Sequence, residues 1–252
     1  MIFDSHAHYD DEAYDEDRAL VFQKIKDAGV DKVMNVGASM RSTRNTLEYI
    51  DKYDFIYGAL GVHPDETGKL TEADMDFIRA NSSHKKVRAI GEIGLDYHWE
   101  SPKDQQKKWF ERQLEIAREV KLPVIIHSRE ACKDTMDILT CYKDITGIIH
   151  CFSYTKQTAR DYLNMGYAIG VGGVVTFKNS QKLKESVLYT PLESIVLETD
   201  CPYLTPVPDR GKRNDSSYIK YVIDEIARIK NVDRETVENV CYENTLRVYG
   251  FK

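Results

Sequence analysis

The chain has 252 residues, 42% hydrophobic and 30% charged, the make-up of an ordinary water-soluble globular protein with room for one large barrel or two small domains. A formal net charge of −6 does not favour broad electrostatic binding to nucleic acid, so any polyanionic substrate must be held locally, by metal ions or a small basic cluster. No apolar run approaches the roughly 20 residues that span a bilayer, which excludes a membrane-spanning helix.

Short β-branched runs alternate with longer amphipathic or charged ones. The predicted strands are Met1–Asp4, Lys32–Val36, Phe55–Leu60, Val87–Ile90, Pro123–Ile126, Gly147–Ile149, Tyr167–Ile169 and Ile195–Leu197. Helical patterns fall at Asp17–Ala28, Thr43–Lys52, Glu72–Asn81, Lys103–Val120, Cys132–Cys141, Lys156–Met165 and Ser180–Tyr189, with a final pair over Ser217–Ile229 and Arg234–Val248. Strands alternating with helices predict a parallel sheet, and eight such units in a chain of this length predict an α/β fold of the (β/α)8 TIM-barrel class. A doubly wound open sheet is the alternative, but no G-x-G-x-x-G follows the first strand. With no repeat and no long linker, residues 1–252 are expected to form one domain. The cysteines, Cys132, Cys141, Cys151, Cys201 and Cys241, are odd in number and form no C-x-x-C. Together with an opening that lacks a basic-then-apolar leader, they predict free thiols and a cytoplasmic protein.

The polar residues at the predicted strand ends carry the chemistry. His6 and His8 sit two apart at the tip of the first strand, so both imidazoles face the same way. His63 follows the third strand in Gly61-Val62-His63-Pro64, and Glu92 follows the fourth in Gly91-Glu92-Ile93-Gly94-Leu95-Asp96-Tyr97. His127 and Arg129 end the fifth, His150 the sixth, and Asp200 stands just past the eighth. In a barrel the C-terminal rim of the strands holds the active site. His6, His8, Glu92, His127, His150 and Asp200 are the expected ligands of two divalent metal ions, with Glu92 as the expected bridge. His63 is left for a phosphate contact or proton transfer, or for a structural place in its turn. His84 reads as solvated surface, and His98 as a loop residue or a substrate contact. Asp4 shares the parity of His6 and His8, either to orient one of the imidazoles or as a buried cap. Cys151 and Cys201 should pack as small thiols turned away from the ligands. Arg210, Lys212 and Arg213 form a tight basic loop after the eighth strand. Arg129, Arg210 and Arg213 are the candidate phosphate ligands.

These blocks, from Asp4-Ser5-His6-Ala7-His8 through His127-Ser128-Arg129, His150-Cys151-Phe152-Ser153 and Glu198-Thr199-Asp200-Cys201-Pro202-Tyr203-Leu204 to Arg210-Gly211-Lys212-Arg213-Asn214, resemble the TatD-type metal-dependent hydrolases almost end to end. The resemblance implies an amidohydrolase-like barrel and metal-dependent phosphodiester hydrolysis of DNA. In the family that activity is often 3′→5′ exonucleolytic, on single strands or 3′ ends. It also implies metal-ligand roles for the six residues above. The donor set suits Zn, Mn, Co or Ni by softness, and the resemblance points to Mg or Mn. Asp200 is expected to orient the attacking water and accept its proton, beside Glu92 and His63. Family members commonly place a proline after the acidic residue that follows Arg-Gly-Lys-Arg-Asn. Here Asp215 is followed by Ser216 and Ser217, which predicts a looser loop. The competing expectations are amide or ester hydrolysis, including deacylation of a charged tRNA, and a metal-binding scaffold without catalysis. No membrane association and no obligate protein partner are expected.

Overall fold

The alternation in the sequence becomes alternation in space. In the computed structural model, which describes residues 1–251, the order is β1 (Ile2–Ala7), α1 (Arg18–Asp27), β2 (Val30–Val36), α2 (Met40–Lys52), β3 (Ile56–Leu60), α3 (Glu72–Asn81), β4 (Val87–Asp96), α4 (Lys103–Val120), β5 (Val124–Arg129), α5 (Cys132–Leu139), β6 (Gly147–Ile149), α6 (Lys156–Asn164), β7 (Ala168–Val171), α7 (Gln181–Tyr189), β8 (Ile195–Leu197), α8 (Ile219–Lys230) and α9 (Arg234–Val248). This is the (β/α)8 order that the sequence predicts. The helix starts are marked by side-chain caps. Ser39, Thr155 and Asp233 each accept a backbone N–H from the first turn of α2, α6 and α9, and Thr71 and Asp74 form a reciprocal capping box on α3. Among the described residues no helix is long and apolar enough to cross a membrane.

The chain is organised in two units, one of Met1–Asn35 with the chain from Cys151 onward, the other Val36–His150. In the first, β1 pairs in parallel with β2, with Asp4 opposite Val33, and β7 pairs in parallel with β8, with Val171 opposite Leu197. An isolated bridge between Ala7 and Cys201 ties the tip of β1 to the segment after β8. Every residue of β1 is buried, as expected of a strand covered on both faces. Phe3 packs against the rings of Tyr242, Tyr249 and Phe251 at 5.6–6.4 Å, and the Tyr249 hydroxyl donates to the Ser5 carbonyl at 2.7 Å. The Phe3 side chain thus faces α9 and the residues just after it, and Asp4, His6 and His8 share the opposite parity.

In the second unit, β3 to β6 form a four-stranded parallel sheet in chain order. Helix α4 buries Trp109, Phe110, Leu114, Ile116 and Ala117 against it, with two glutamines on the same stripe. Gln113 accepts the Val62 N–H at 2.8 Å and donates to the Val62 carbonyl at 3.1 Å. Gln106 does the same for Asp96, at 2.8 Å each way. Each primary amide thereby replaces a missing strand neighbour at a strand end that leads into a polar loop.

β1, β4 and β5 run past the apolar pattern into polar residues. β1 ends at Ala7 and takes in His6, β4 continues from Ile90 to Asp96, and β5 continues to Arg129. The reason is the backbone ladder. Ile93, Gly94, Leu95 and Asp96 stay in register with Ile126, His127, Ser128 and Arg129 after an irregularity between Ile90 and Ile93. Polar side chains do not end a strand whose N–H and C=O groups still have partners.

Candidate functional site

In the first unit the ladder of β1 sets His6 and His8 side by side. Their Nε2 atoms are 3.0 Å apart and the rings stand nearly perpendicular, at 76°. Asp200 reaches them from the end of β8, its Oδ1 3.4 Å from His8 Nε2 and 3.7 Å from His6 Nε2. Its backbone is left-handed, with φ +57°, and its N–H donates to the His6 carbonyl at 3.0 Å, so β1 itself holds the carboxylate in place. Ligands about 2.1 Å from a common ion, at angles between square and tetrahedral, stand roughly 3.0–3.4 Å apart. His8 stands at that spacing from both His6 and Asp200, and the third pair, at 3.7 Å, lies just outside it, so the donors present fit a divalent metal ion.

Beneath them lies a buried hydrogen-bond network. Asp4 accepts from Thr199 Oγ1 at 2.6 Å, Ser216 Oγ at 2.6 Å, the Thr199 N–H at 3.1 Å and the His6 N–H at 3.2 Å. Burial raises the Asp4 carboxyl to about 7 against the pull of these donors. Of its two expected roles, Asp4 fills the cap, tying the backbone at His6 to the segment that carries Asp200. Cys201 is fully buried, and burial together with nearby Asp4 pushes its thiol up to about 12, in keeping with an inert packed group. Cys151 is half-buried at φ +44°, and its N–H donates to Glu198 Oε1 at 2.7 Å.

In the second unit Glu92 is the centre. Its carboxylate Oε1 lies 2.7 Å from His127 Nδ1, 3.5 Å from His150 Nε2 and 3.8 Å from His63 Nε2. Glu92 sits within β4, and its N–H donates to the Gly37 carbonyl at 2.8 Å. The other nitrogen of His127, Nε2, meets Asp96 Oδ2 at 2.9 Å. Burial disfavours a charge on His127, but a carboxylate on each ring nitrogen outweighs it and raises the group to about 9. Burial pushes Asp96 upward too, yet the His127 and His98 contacts hold it below the usual carboxylate range. Gly94 permits this arrangement. Its φ is +145°, and a Cβ there would fall 1.9 Å from the His127 carbonyl oxygen.

His63 stands edge-on to His127, ring centroids 4.2 Å apart, and is one of a group with Glu92 and His127 whose ligand atoms all lie within 4.8 Å. Its Nδ1 contacts the Asp65 carboxylate. In the neutral ring that contact leaves Nε2 as the acceptor. The structure therefore adds a metal-ligand capacity to the phosphate and proton roles expected of His63.

The basic loop is firmer than its serines suggest. Arg213 makes a bidentate pair with Asp17 at 2.6 and 2.9 Å, donates to the Ala13 carbonyl and lies over the Tyr14 ring at 4.8 Å. Ser216 is fully buried and donates to Asp4, and the Ser217 N–H donates to Asp215 at 2.9 Å. Hydrogen bonds replace the rigidity a proline would supply, which corrects the looser loop expected from the serines. Arg210 lies 4.0 Å over the Phe177 ring and Lys212 pairs with Asp209 at 2.5 Å. Arg129 is exposed at the end of β5, with its guanidinium 5.8 Å over the Trp99 ring. His84, half-buried, pairs with exposed Asp51 at 3.1 Å.

Motif reading missed the residues that hold the ligands: Asp96, Gln106, Thr199 and Ser216. Asp96 lies inside a block singled out for Glu92, and its spacing of four from Glu92 was the available signal. Nothing in the sequence marks Gln106 or Ser216, whose partners are 10 and 212 residues away.

Comparison with known proteins agrees with this donor chemistry. A family model described as TatD related DNase matches residues 3–250. An uncharacterized metal-dependent hydrolase of Bacillus subtilis, YabD, is 44% identical over 252 residues, covering 99% of each chain. YcfH of Escherichia coli K12, also an uncharacterized metal-dependent hydrolase, is 33% identical, covering 99% of this chain and 96% of its own. The crystal structure of YjjV, a TatD homologue from Escherichia coli K12, superposes with a TM-score of 0.94 at 28% identity, covering 99% of this chain and 98% of that one. The fold class is thus the (β/α)8 barrel that the strand pattern predicts, and the chain belongs to the TatD family of metal-dependent hydrolases.

Proposed function

We propose that the protein is a deoxyribonuclease that hydrolyses phosphodiester bonds of DNA, releasing nucleotides from single strands or 3′ ends. The metal ligands in this reading are His6, His8, Asp200, Glu92, His127 and His150, holding two divalent ions, Mg, Mn or Zn. The observation that carries it is the donor spacing, 3.0–3.7 Å among His6, His8 and Asp200 and 3.5 Å from Glu92 to His150, with His127 in hydrogen-bond contact with Glu92 at 2.7 Å. The family description supplies the substrate class.

Held by these residues, two such ions would supply Lewis acidity, lowering the pKa of a water and offsetting charge on the phosphate oxygens. Asp200, 18% exposed and fixed by its backbone bond to β1, orients that water and accepts its proton. His63 presents an acceptor nitrogen held by Asp65 and takes part in proton transfer or phosphate contact. Arg129 and Arg210 hold phosphate oxygens as charged donors. Arg213, engaged with Asp17, acts by keeping the Arg210 loop in place. A cytoplasmic location accompanies this reading, since all five cysteines are free thiols.

The test is hydrolysis of end-labelled single-stranded DNA by metal-stripped protein with Mg, Mn, Zn or no metal restored, beside Glu92→Ala and Asp200→Ala. Metal-dependent loss of nucleotides from the 3′ end, at least 100-fold slower in both variants, is expected. Full activity in either variant removes that residue from the mechanism. Absence of cleavage with every metal turns the reading toward amide or ester bonds.

A further inference from the structure

Just beyond the ligand-bearing ends of β4 and β5, the second unit carries an aromatic and cationic cluster of which the chemistry above uses only Arg129. Trp99 is 55% exposed, whereas the other tryptophan, Trp109, is buried in α4 at 4%. Leaving an indole in water forgoes one of the largest burial gains any side chain offers. The loop that presents it is anchored. The His98 N–H donates to Asp96 Oδ1 at 2.9 Å, and His98 Nδ1 meets Glu130 at 3.1 Å. The His98 ring stands edge-on to the indole, 4.9 Å between centroids at 82°, and the Ser101 N–H donates to the Trp99 carbonyl at 2.8 Å. Arg129 lies 5.8 Å over the indole. A second pair of the same kind sits alongside, with Lys103 4.1 Å over Tyr97.

We propose that Trp99 and Arg129 form a nucleotide subsite, the indole stacking on a base of the substrate and the guanidinium taking the adjoining phosphate. The proposal rests on the phosphodiester reading and deepens it, because it makes the substrate a base-bearing chain and not a bare phosphate ester. His127 and Arg129 lie two apart on β5, so their side chains share a face with Cα atoms roughly 6.6 Å apart. A phosphate at Arg129 is therefore next to whatever His127 helps to hold. An aromatic face with a cation beside it matches a nucleotide's two parts, a π-surface and an anion. Neither part matches a peptide amide. In a chain with net charge −6, affinity for a nucleic acid must come from such local contacts.

The experiment uses metal-loaded protein and a short oligothymidylate with phosphorothioate linkages, which resist hydrolysis. A second oligomer carries the same linkages and abasic sugars. Binding is followed by tryptophan emission and by fluorescence polarisation. The base-bearing oligomer is expected to quench wild-type emission. Trp99→Ala, whose remaining indole is the buried Trp109, should lose the quenching and bind about 10–100-fold more weakly. The abasic oligomer should bind wild type and Trp99→Ala alike, and Arg129→Ala should reduce the salt dependence by about one phosphate contact. Equal binding of base-bearing and abasic oligomers by wild type, or affinity of Trp99→Ala within twofold of wild type, overturns the subsite. If end-labelled DNA is still hydrolysed in that case, the phosphodiester reading stands and only the subsite fails. If wild type neither binds nor hydrolyses DNA, both fail together.

Discussion

Replacing Asp96 tests whether the ligands depend on what stands behind them. The carboxylate makes one charge-assisted hydrogen bond to His127 Nε2, at 2.9 Å, and so presents Nδ1 beside Glu92, at 2.7 Å. Asp96→Asn keeps the shape and an acceptor for the His98 N–H but removes the charge. A hydrogen bond of this kind contributes about 1.5–3 kcal/mol, and loss of a carboxylate behind a metal-bound histidine lowers metal affinity about 10–100-fold. The two figures agree, since about 1.4 kcal/mol is one decade. We expect about a 10-fold weaker affinity for Zn or Mn in Asp96→Asn and nearer 100-fold in Asp96→Ala, whose buried cavity also disturbs the ring. The assay is competition between metal-stripped protein and a chromophoric chelator, with thermal unfolding of the stripped protein in parallel. Metal affinity within twofold of wild type in both variants, with only the unfolding temperature lowered, would refute the argument. Asp96 would then be a structural residue.

Three further outcomes follow from local geometry. Gly94→Ala combines a left-handed-side φ of +145° with a Cβ 1.9 Å from the His127 carbonyl, so it should cost about 3–5 kcal/mol and lower the unfolding temperature by about 10 °C. A fall below 2 °C in calorimetry would contradict the close approach of β4 and β5. Ser216→Ala removes a 2.6 Å donor to buried Asp4 and should cost about 1–2 kcal/mol in urea unfolding, whereas Ser217→Ala should cost less than about 0.5 kcal/mol. Glu225 is held at about 2 by Arg228, against partial burial and with help from Lys184. A depressed carboxylate stabilises the fold above its ordinary value of 4.5 and loses that contribution as pH falls toward 2. Because Arg228 is largely exposed, Glu225→Gln should cost about 1 kcal/mol at pH 7, falling to roughly half of that near pH 3 and toward zero as pH drops to about 2. A gap that does not change with pH would sink that account.

The amino-acid sequence by itself determined the element order, the six candidate ligands and the parity that faces His6 and His8 the same way. These follow from short-range physics. Strand period, helix caps and the placement of imidazoles at the ends of apolar runs are all encoded within a few residues. Tertiary structure alone decided where β4 and β5 stop, because the ladder from Ile93–Asp96 to Ile126–Arg129 continues under polar side chains that read as loop. It also decided which groups brace the ligands. Asp4 joins Thr199 and Ser216 from 195 and 212 residues away, and the basic loop is held by Arg213 on Asp17, 196 residues apart. Such partners leave no local pattern. A serine that completes a buried carboxylate's hydrogen bonds has the same letter as one in water, and only the folded chain sets them apart, by burying the first against its partner.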